Sequence, residues 1–118
     1  MATQRFSYHL HGGTGQEMVA LAKRCESLGF DTLWSQQLYS TPFIPLAAVA
    51  THVQRLRLGS GIALAFVRSP LETALSALDM DAVTGGRFVL GLGTGVQRLN
   101  ERWPGVQEEA RRVQEAFR

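Results

Sequence analysis

Paired cysteines, long apolar runs and concentrated charge are three features that the sequence lacks. Its single cysteine, Cys25, has no partner for an internal disulfide, whereas small secreted domains usually depend on several disulfides. No apolar run approaches the ~20 residues that a membrane helix needs. Residues 1–5 lack the basic stretch followed by an apolar one that marks a secretion signal. We therefore expect a cytoplasmic protein with no membrane association.

The charges of the chain are nearly balanced and dispersed. Twelve Lys and Arg residues oppose ten Asp and Glu residues, which gives a net charge of +2. Nucleic-acid-binding proteins usually present a concentrated basic face, so we predict no nucleic-acid partner. The 118 residues, of which 45% are hydrophobic and 19% charged, are typical of one soluble globular domain.

The chain does contain an alternation of predicted strands and helices. Apolar patterns predict strands at residues 6–10, 30–35, 56–64 and 87–92. A capping box at Thr14–Glu17 and another at Ser69–Glu72, with Pro70 in the first turn, mark two helix starts. Pro45 predicts a further start as a first helical residue, and a last helix is predicted from about Glu108.

The predicted helices carry apolar residues at helical spacing, and we expect these faces to pack on the sheet. The four faces consist of Met18, Leu21, Ala22, Cys25 and Leu28; Leu46, Val49, Ala50 and Val53; Leu71, Ala74, Leu75, Leu78 and Ala82; and Ala110, Val113 and Phe117. Short βα units build parallel sheets with right-handed crossovers. Four such units form either a small open doubly wound sheet or half of a (β/α)₈ barrel, which needs ~250 residues in all. The periodicity of apolar residues does not distinguish these two architectures.

Glycine-rich turns and polar residues fall at the predicted carboxyl ends of three strands. They are Gly59–Ile62, Gly91–Gly95 and the pair Gln36 and Gln37. Ligands bind at this end of parallel strands in barrels and in open sheets. The glycines either bring bare N–H groups to a phosphate or a planar ring, or merely allow close packing. An NAD-type fingerprint is disfavoured because Val96 stands where its third glycine belongs.

Few residues suggest catalysis or metal binding. His9 and His11 share one face of the first strand, but no third ligand supports them, so we predict no metal site. His11 and Gln36 are candidates for a substrate pocket because they lie at strand ends. We find no Ser–His–acid or Cys–His arrangement and no paired carboxylates, and we assign no catalytic residue.

Several stretches resemble the luciferase-like monooxygenases. Residues 28–34 (LGFDTLW), 57–62 (RLGSGI), 68–70 (RSP) and 85–95 (GGRFVLGLGTG) stand in that family's order and spacing. Residues 42–48 and 63–70 look most like its deazaflavin-dependent branch. The resemblance implies the N-terminal half of a (β/α)₈ barrel over residues 1–118, with only about the first four βα units present. We would expect the gene to encode further residues that complete the barrel.

The resemblance also implies a cofactor, either coenzyme F-420 or, as the alternative, FMN. The expected cofactor-binding residues are Gln37, Ser60, Gly61, Ile62, Gly93, Thr94, Gly95 and Asn100. The family places a non-proline cis peptide at the end of its third strand, which would be Gly61–Ile62 here. Family members acting on sugar phosphates or secondary alcohols carry an acid and a histidine where this chain has Gln37 and Leu38, and sugar-phosphate members carry a glutamate at the position of Val96.

These departures leave the small-molecule substrate open. The first functional hypothesis is an oxidoreductase that transfers a hydride between coenzyme F-420 and an organic substrate. An FMN-dependent monooxygenase is the second. A non-catalytic half-barrel that self-associates through its sheet edges is the third, because open edges recruit other chains. In each case we expect a homo-oligomer, with the isolated 118 residues inactive.

Overall fold

A computed structural model describes residues 4–38, 40–95 and 115 of the chain. In chain order the elements are β1 (Ser7–His9), α1 (Gly15–Ser27), β2 (Thr32–Ser35), α2 (Phe43–Ala50), β3 (Arg57–Ser60), β4 (Ala63–Leu64), α3 (Pro70–Thr84), β5 (Phe88–Val89) and β6 (Leu92–Gly93). The four predicted strands are present, and the third and fourth are each interrupted. Of the last predicted helix, only Glu115, which is helical and exposed, lies in the described part.

The strand order decides between the two architectures that the sequence left open. One sheet has the order β1-β2-β3-β5, and β4 pairs with β6 beyond the interruptions; every pairing is parallel. Each crossover therefore moves one strand further in the same direction. A doubly wound sheet reverses direction at its switch point, whereas right-handed crossovers without a reversal place all helices on one face. The sheet is wound as in a (β/α)₈ barrel.

The hydrophobic core lies between this sheet and the three helices. Leu33 and Leu58 on the central strands are fully buried, together with Leu46 and Val49 of α2 and Ala22 of α1. The apolar face predicted for α2 is confirmed, since all four of its residues are buried. In the described part of the chain, no helix is long and apolar enough to cross a membrane.

Local signals set most of the helix ends. Thr14 and Glu17 form the predicted capping box, with Glu17 N–H donating to Thr14 Oγ1 at 3.2 Å and Thr14 N–H donating to Glu17 Oε2 at 3.0 Å. Ser69 caps α3 by accepting from Glu72 N–H, and Pro70 is its first residue. The start predicted at Pro45 is wrong: α2 begins at Phe43 after Pro42. The backbone N–H groups of the first helical turn have no acceptor within the helix, so a proline, which lacks an N–H, is tolerated anywhere in that turn. Pro45 therefore does not mark the first residue.

The apolar face predicted for α3 does not pack on the sheet. Thr73, Met80 and Thr84 are the buried residues of this helix. At 100° per residue they lie opposite the predicted face, where Leu71 and Leu78 are 67% and 66% exposed and the other members are exposed as well. We refer to Leu71, Leu75, Leu78 and Ala82 as the outer stripe of α3. The predicted apolar periodicity of α3 is present, but the prediction that this face packs on the sheet is wrong.

Candidate functional site

Two neighbouring strands break where they reach the carboxyl edge of the sheet. The peptide between Gly61 and Ile62 is cis, as the resemblance implied, and it separates β3 from β4. Residues 90 and 91 similarly separate β5 from β6. The two interruptions lie side by side, because Gly91 O accepts from Ala63 N–H at 2.8 Å. This edge, with the end of β2 beside it, is the candidate site.

A side chain joins the two interruptions. The hydroxyl of Ser60 donates to Gly91 O at 2.9 Å and accepts from Gly91 N–H at 2.9 Å. Ser60 is fully buried. A Cβ at position 91 would collide with the carbonyl oxygen of Ser60, so the close approach requires glycine. The hydroxyl of Ser60, a predicted cofactor-binding residue, is therefore engaged within the protein.

Gln37 clamps the end of β2 to the strand beyond the cis peptide. Its backbone N–H donates to Ile62 O at 3.1 Å, and its side-chain Oε1 accepts from Leu64 N–H at 2.9 Å. Oε1 also accepts from Arg68 Nη1 at 3.0 Å. The carbonyl end of this half-buried side chain is thus engaged by the protein, which leaves its amide nitrogen as the group that can reach a ligand.

Arg68 stands beside this clamp and was missed as a site residue. It follows β4 and precedes the N-cap of α3, so it lies at the same carboxyl edge. Nη1 also approaches Leu64 O at 3.4 Å, and the guanidinium lies 5.1 Å from the centre of the Phe43 ring. Burial lowers the pKa of this guanidinium, and the charge of Glu72 partly offsets the effect. The sequence signal that could have identified Arg68 as a site residue is its position directly between a predicted strand end and a predicted helix cap.

The glycines of the site are explained by packing. A Cβ at Gly59 would lie 2.5 Å from the Trp34 ring, one at Gly61 would lie 3.1 Å from it, and one at Gly93 would meet the Ile62 side chain. Real Cβ atoms do not approach other atoms to 2.5 Å. Of the two roles left open for these glycines, close packing is the one that the described contacts display.

The remaining predicted site residues lie around this edge. His11 and Gln36 are exposed, and His11 contacts the Tyr8 ring edge-on at 6.1 Å; no described contact joins His11 to Gln36. Thr94 and Gly95 are half-buried, and Gly95 has a positive φ of 77°. Asn100 lies outside the described residues. Within the described part, His, Cys, Asp and Glu residues form no group of three that could hold a metal ion.

Two cavities adjoin the edge, and Arg68 lines both. The first, of about 490 Å³, is lined by Gln37, Leu38, Ser40, Thr41, Leu64, Val67 and Arg68. The second, of about 630 Å³, is lined by Ala65, Phe66, Arg68, Pro70, Thr73, Ala74, Leu90 and Leu92. Both are within the size range of small-molecule sites. The buried Thr73 hydroxyl has no hydrogen-bond partner among the described residues. An apolar groove and a cleft with mixed polar and apolar lining, which share one cation, suit a molecule with an apolar part and a charged part.

Comparison with known proteins gives the family. The sequence model of the luciferase-like monooxygenases matches residues 1–117. The chain belongs to this family. The parallel sheet, the cis peptide after β3 and the glycine-rich end of β6 are thus features of a luciferase-like chain, and the fold is the (β/α)₈ type of that family.

Particular luciferase-like relatives differ in chemistry. A Mycobacterium tuberculosis protein, named provisionally as a coenzyme F-420-dependent oxidoreductase, is 38% identical over 90 residues, which are 75% of this chain and 25% of that protein. The 4-hydroxyprotoasukamycin monooxygenase of Streptomyces nodosus subsp. asukaensis is 33% identical over 84 residues, 65% of this chain and 23% of that enzyme.

A solved luciferase-like structure supports the same architecture. The coenzyme F-420-dependent tetrahydromethanopterin reductase of Methanopyrus kandleri superposes with a TM-score of 0.77 at 27% identity, over 86% of this chain and 30% of that one. The chain spans about a quarter of the length of these curated relatives. Relatives in this family are oxidoreductases and monooxygenases that act on small molecules.

Proposed function

We propose that this protein is an oxidoreductase that transfers a hydride between coenzyme F-420 and a small organic substrate. Residues 1–118 supply the N-terminal half of the barrel in this proposal. The observation that carries it is the edge built by Gln37, the Gly61–Ile62 peptide and Arg68, in a chain of this family. The relatives named for coenzyme F-420 support this cofactor.

The residues at the edge fit such a cofactor. When bound, the deazaflavin supplies the hydride chemistry, and the barrel supplies position and exclusion of water. The backbone of residues 60–62 and 93–95 and the Gln37 amide nitrogen would hold the ring. Asn100 remains a predicted contact. Because the Ser60 hydroxyl is already engaged by Gly91, Ser60 would contribute through its backbone.

A binding titration tests the proposal. The protein, expressed at the full length that its gene encodes, is titrated with coenzyme F-420 and with FMN while cofactor absorbance and fluorescence are followed. We expect saturable binding of coenzyme F-420 at micromolar concentration and weaker binding of FMN. Tight FMN binding with no response to coenzyme F-420 would refute the cofactor assignment.

An FMN-dependent monooxygenase is the second candidate, and the Streptomyces relative favours it. The two functions differ in their use of oxygen. Oxygen uptake that depends on reduced FMN and on added substrate would select the monooxygenase, whereas cofactor turnover without oxygen would select the hydride-transferring enzyme.

We also propose that the protein is a homo-oligomer. This holds for either enzyme and for the third candidate, the non-catalytic half-barrel that self-associates. The outer stripe of α3 supports this, since leucines that point away from the sheet have no partner within the described chain. Within the described residues β1 and β5 are the outer strands of the main sheet, and in the non-catalytic candidate they would be open edges able to pair with another chain. Light scattering should give at least twice the monomer mass. Self-association without binding of either cofactor would favour the non-catalytic candidate.

A further inference from the structure

Among the residues that the structure describes, half-buried Arg68 has no anionic partner within ion-pair distance. The ion pair found within the described residues joins Arg5 to Asp31, at the opposite edge of the sheet. Glu72 acts on Arg68 only from beyond contact distance. The groups that touch the guanidinium are instead the neutral Gln37 oxygen, the Leu64 carbonyl and the Phe43 ring. A buried charge is costly when no opposite charge accompanies it.

Comparison with Arg87 shows how incompletely Arg68 is satisfied. Arg87 donates from Nε, Nη1 and Nη2 to the carbonyls of Thr84, Leu56 and Ala50, at 2.7, 2.7 and 2.9 Å. Arg87 is thus a structural arginine. In Arg68 both hydrogen bonds use Nη1, so no described residue accepts from Nε or Nη2. Two adjacent donors of this kind match the two oxygens of a carboxylate or phosphate.

The cleft beside Arg68 is suited to an anion. Its described lining contains two hydroxyl-bearing residues, Ser40 and Thr41, and includes neither aspartate nor glutamate. Gln37 and Phe43 hold the guanidinium in place before any ligand arrives, so little side-chain entropy remains to be lost on binding. Gln37, which accepts from Arg68, also donates its backbone N–H to Ile62 O, so one residue connects the cation to the end of the cis peptide.

We propose that Arg68 binds an anionic group, a phosphate or a carboxylate, of the molecule that occupies this cleft. The inference rests on the proposed function and deepens it by naming a group that the bound molecule carries. The phosphate of the cofactor and an anionic group of the substrate are the two sources of this chemistry, and the experiment separates them.

The test compares Arg68→Gln and Arg68→Lys with Arg57→Gln in the full-length protein. Arg57 is exposed at the start of β3, at the opposite edge of the sheet from Arg68. Arg57→Gln is a matched control because it makes the same change in net charge away from the cleft. Calorimetric titrations with inorganic phosphate and with acetate are run without cofactor. Coenzyme F-420 and FMN titrations follow, and circular dichroism checks folding.

We expect Arg68→Gln to weaken binding of phosphate or acetate by about tenfold to hundredfold, the value of charge-assisted hydrogen bonds. Arg57→Gln should bind as the wild type does. Arg68→Lys keeps the charge and loses the paired donors, so its loss should be smaller but measurable; it decides the matter if Arg68→Gln does not fold. An equal loss in cofactor affinity identifies the cofactor's phosphate, and an unchanged cofactor affinity identifies a substrate anion.

Two results overturn the inference. One is a folded Arg68→Gln protein that binds both anions and both cofactors as tightly as the wild type. The other is a wild-type protein that binds neither anion, with cofactor affinities that both Arg68 substitutions leave unchanged. If the wild type binds no cofactor while its phosphate binding still depends on Arg68, the proposed function fails and this inference stands.

Discussion

Replacing Glu26 with glutamine should destabilise the protein, because this carboxylate satisfies the turn that leads into β3. Its oxygens accept N–H groups from Gln54, Arg55 and Leu56 at 2.8–3.1 Å. The N–H donors of three successive residues thus converge on one side chain of α1. Glutamine keeps one acceptor oxygen but turns an NH₂ group toward donors.

The magnitude follows from those contacts. A hydrogen bond to a charged group contributes about 1.5–3 kcal/mol, and leaving a buried donor unsatisfied costs a similar amount. Glu26 is partly exposed, so water replaces part of the loss. We expect Glu26→Gln to lower the free energy of unfolding by about 2 kcal/mol. The control is Asp79→Asn on the exposed side of α3, which should change it by less than about 0.5 kcal/mol.

The effect should also depend on pH. Burial raises the pKa of the Glu26 carboxyl, but the N–H donors of Leu56, Arg55 and Gln54, with the charge of Arg55, outweigh burial and hold the pKa below its ordinary value of 4.5. The stabilisation is therefore fully present above the unfolded-state pKa and is lost as the pH falls through the folded-state pKa. Urea unfolding at neutral and acidic pH measures this. A difference between wild type and Glu26→Gln that is below 0.5 kcal/mol at neutral pH, or that grows on acidification, would refute the reasoning.

Three further substitutions test other parts of the structure. Thr73→Val removes a buried hydroxyl that no described residue contacts by a hydrogen bond and should raise the free energy of unfolding by about 1 kcal/mol; a decrease would mean that the hydroxyl is satisfied. Gly91→Ala should cost about 1–3 kcal/mol by overpacking against Ser60, whereas Gly12→Ala, with nothing within 4 Å, should cost little in the same urea titration. Leu78→Lys on the outer stripe should lower the molar mass seen by light scattering while stability per chain changes by less than about 0.5 kcal/mol; an unchanged mass would remove the outer stripe as an interface.

Local signals made much of the fold predictable. Thr14 and Glu17, or Ser69 and Pro70, determine a helix start within four residues, so the sequence alone contains the whole interaction. The outer stripe of α3 was assigned to the wrong side for a related reason. A 3.6-residue period shows that a helix has an apolar face, but the partner of that face belongs to tertiary structure. Here two threonines and a methionine face inward while leucines face outward.

The site was less predictable because its contacts are distant in sequence. Gln37 and Arg68 are 31 residues apart, and so are Ser60 and Gly91. The position of these residues at strand ends could be read from the alternation of strands and helices. The pairing of each acceptor oxygen with its N–H donor could not be predicted from the sequence, because it depends on the register between β2, β3 and β5. For this reason the sequence indicates the place of Arg68 before a helix cap but not its contact with Gln37.

The reciprocal hydrogen bonds between Ser60 and Gly91 have a consequence for how the sequence can diverge. One hydroxyl serves as donor and acceptor to a single glycine, and the absent Cβ of that glycine gives the serine backbone its place. A side chain at position 91 would displace the backbone groups that the Ser60 hydroxyl contacts. A substitution at position 60 would leave in place the backbone carbonyl oxygen that excludes a Cβ at position 91, so the dependence runs in one direction. Across descendants of this chain, glycine at position 91 should therefore persist even where the residue at position 60 changes.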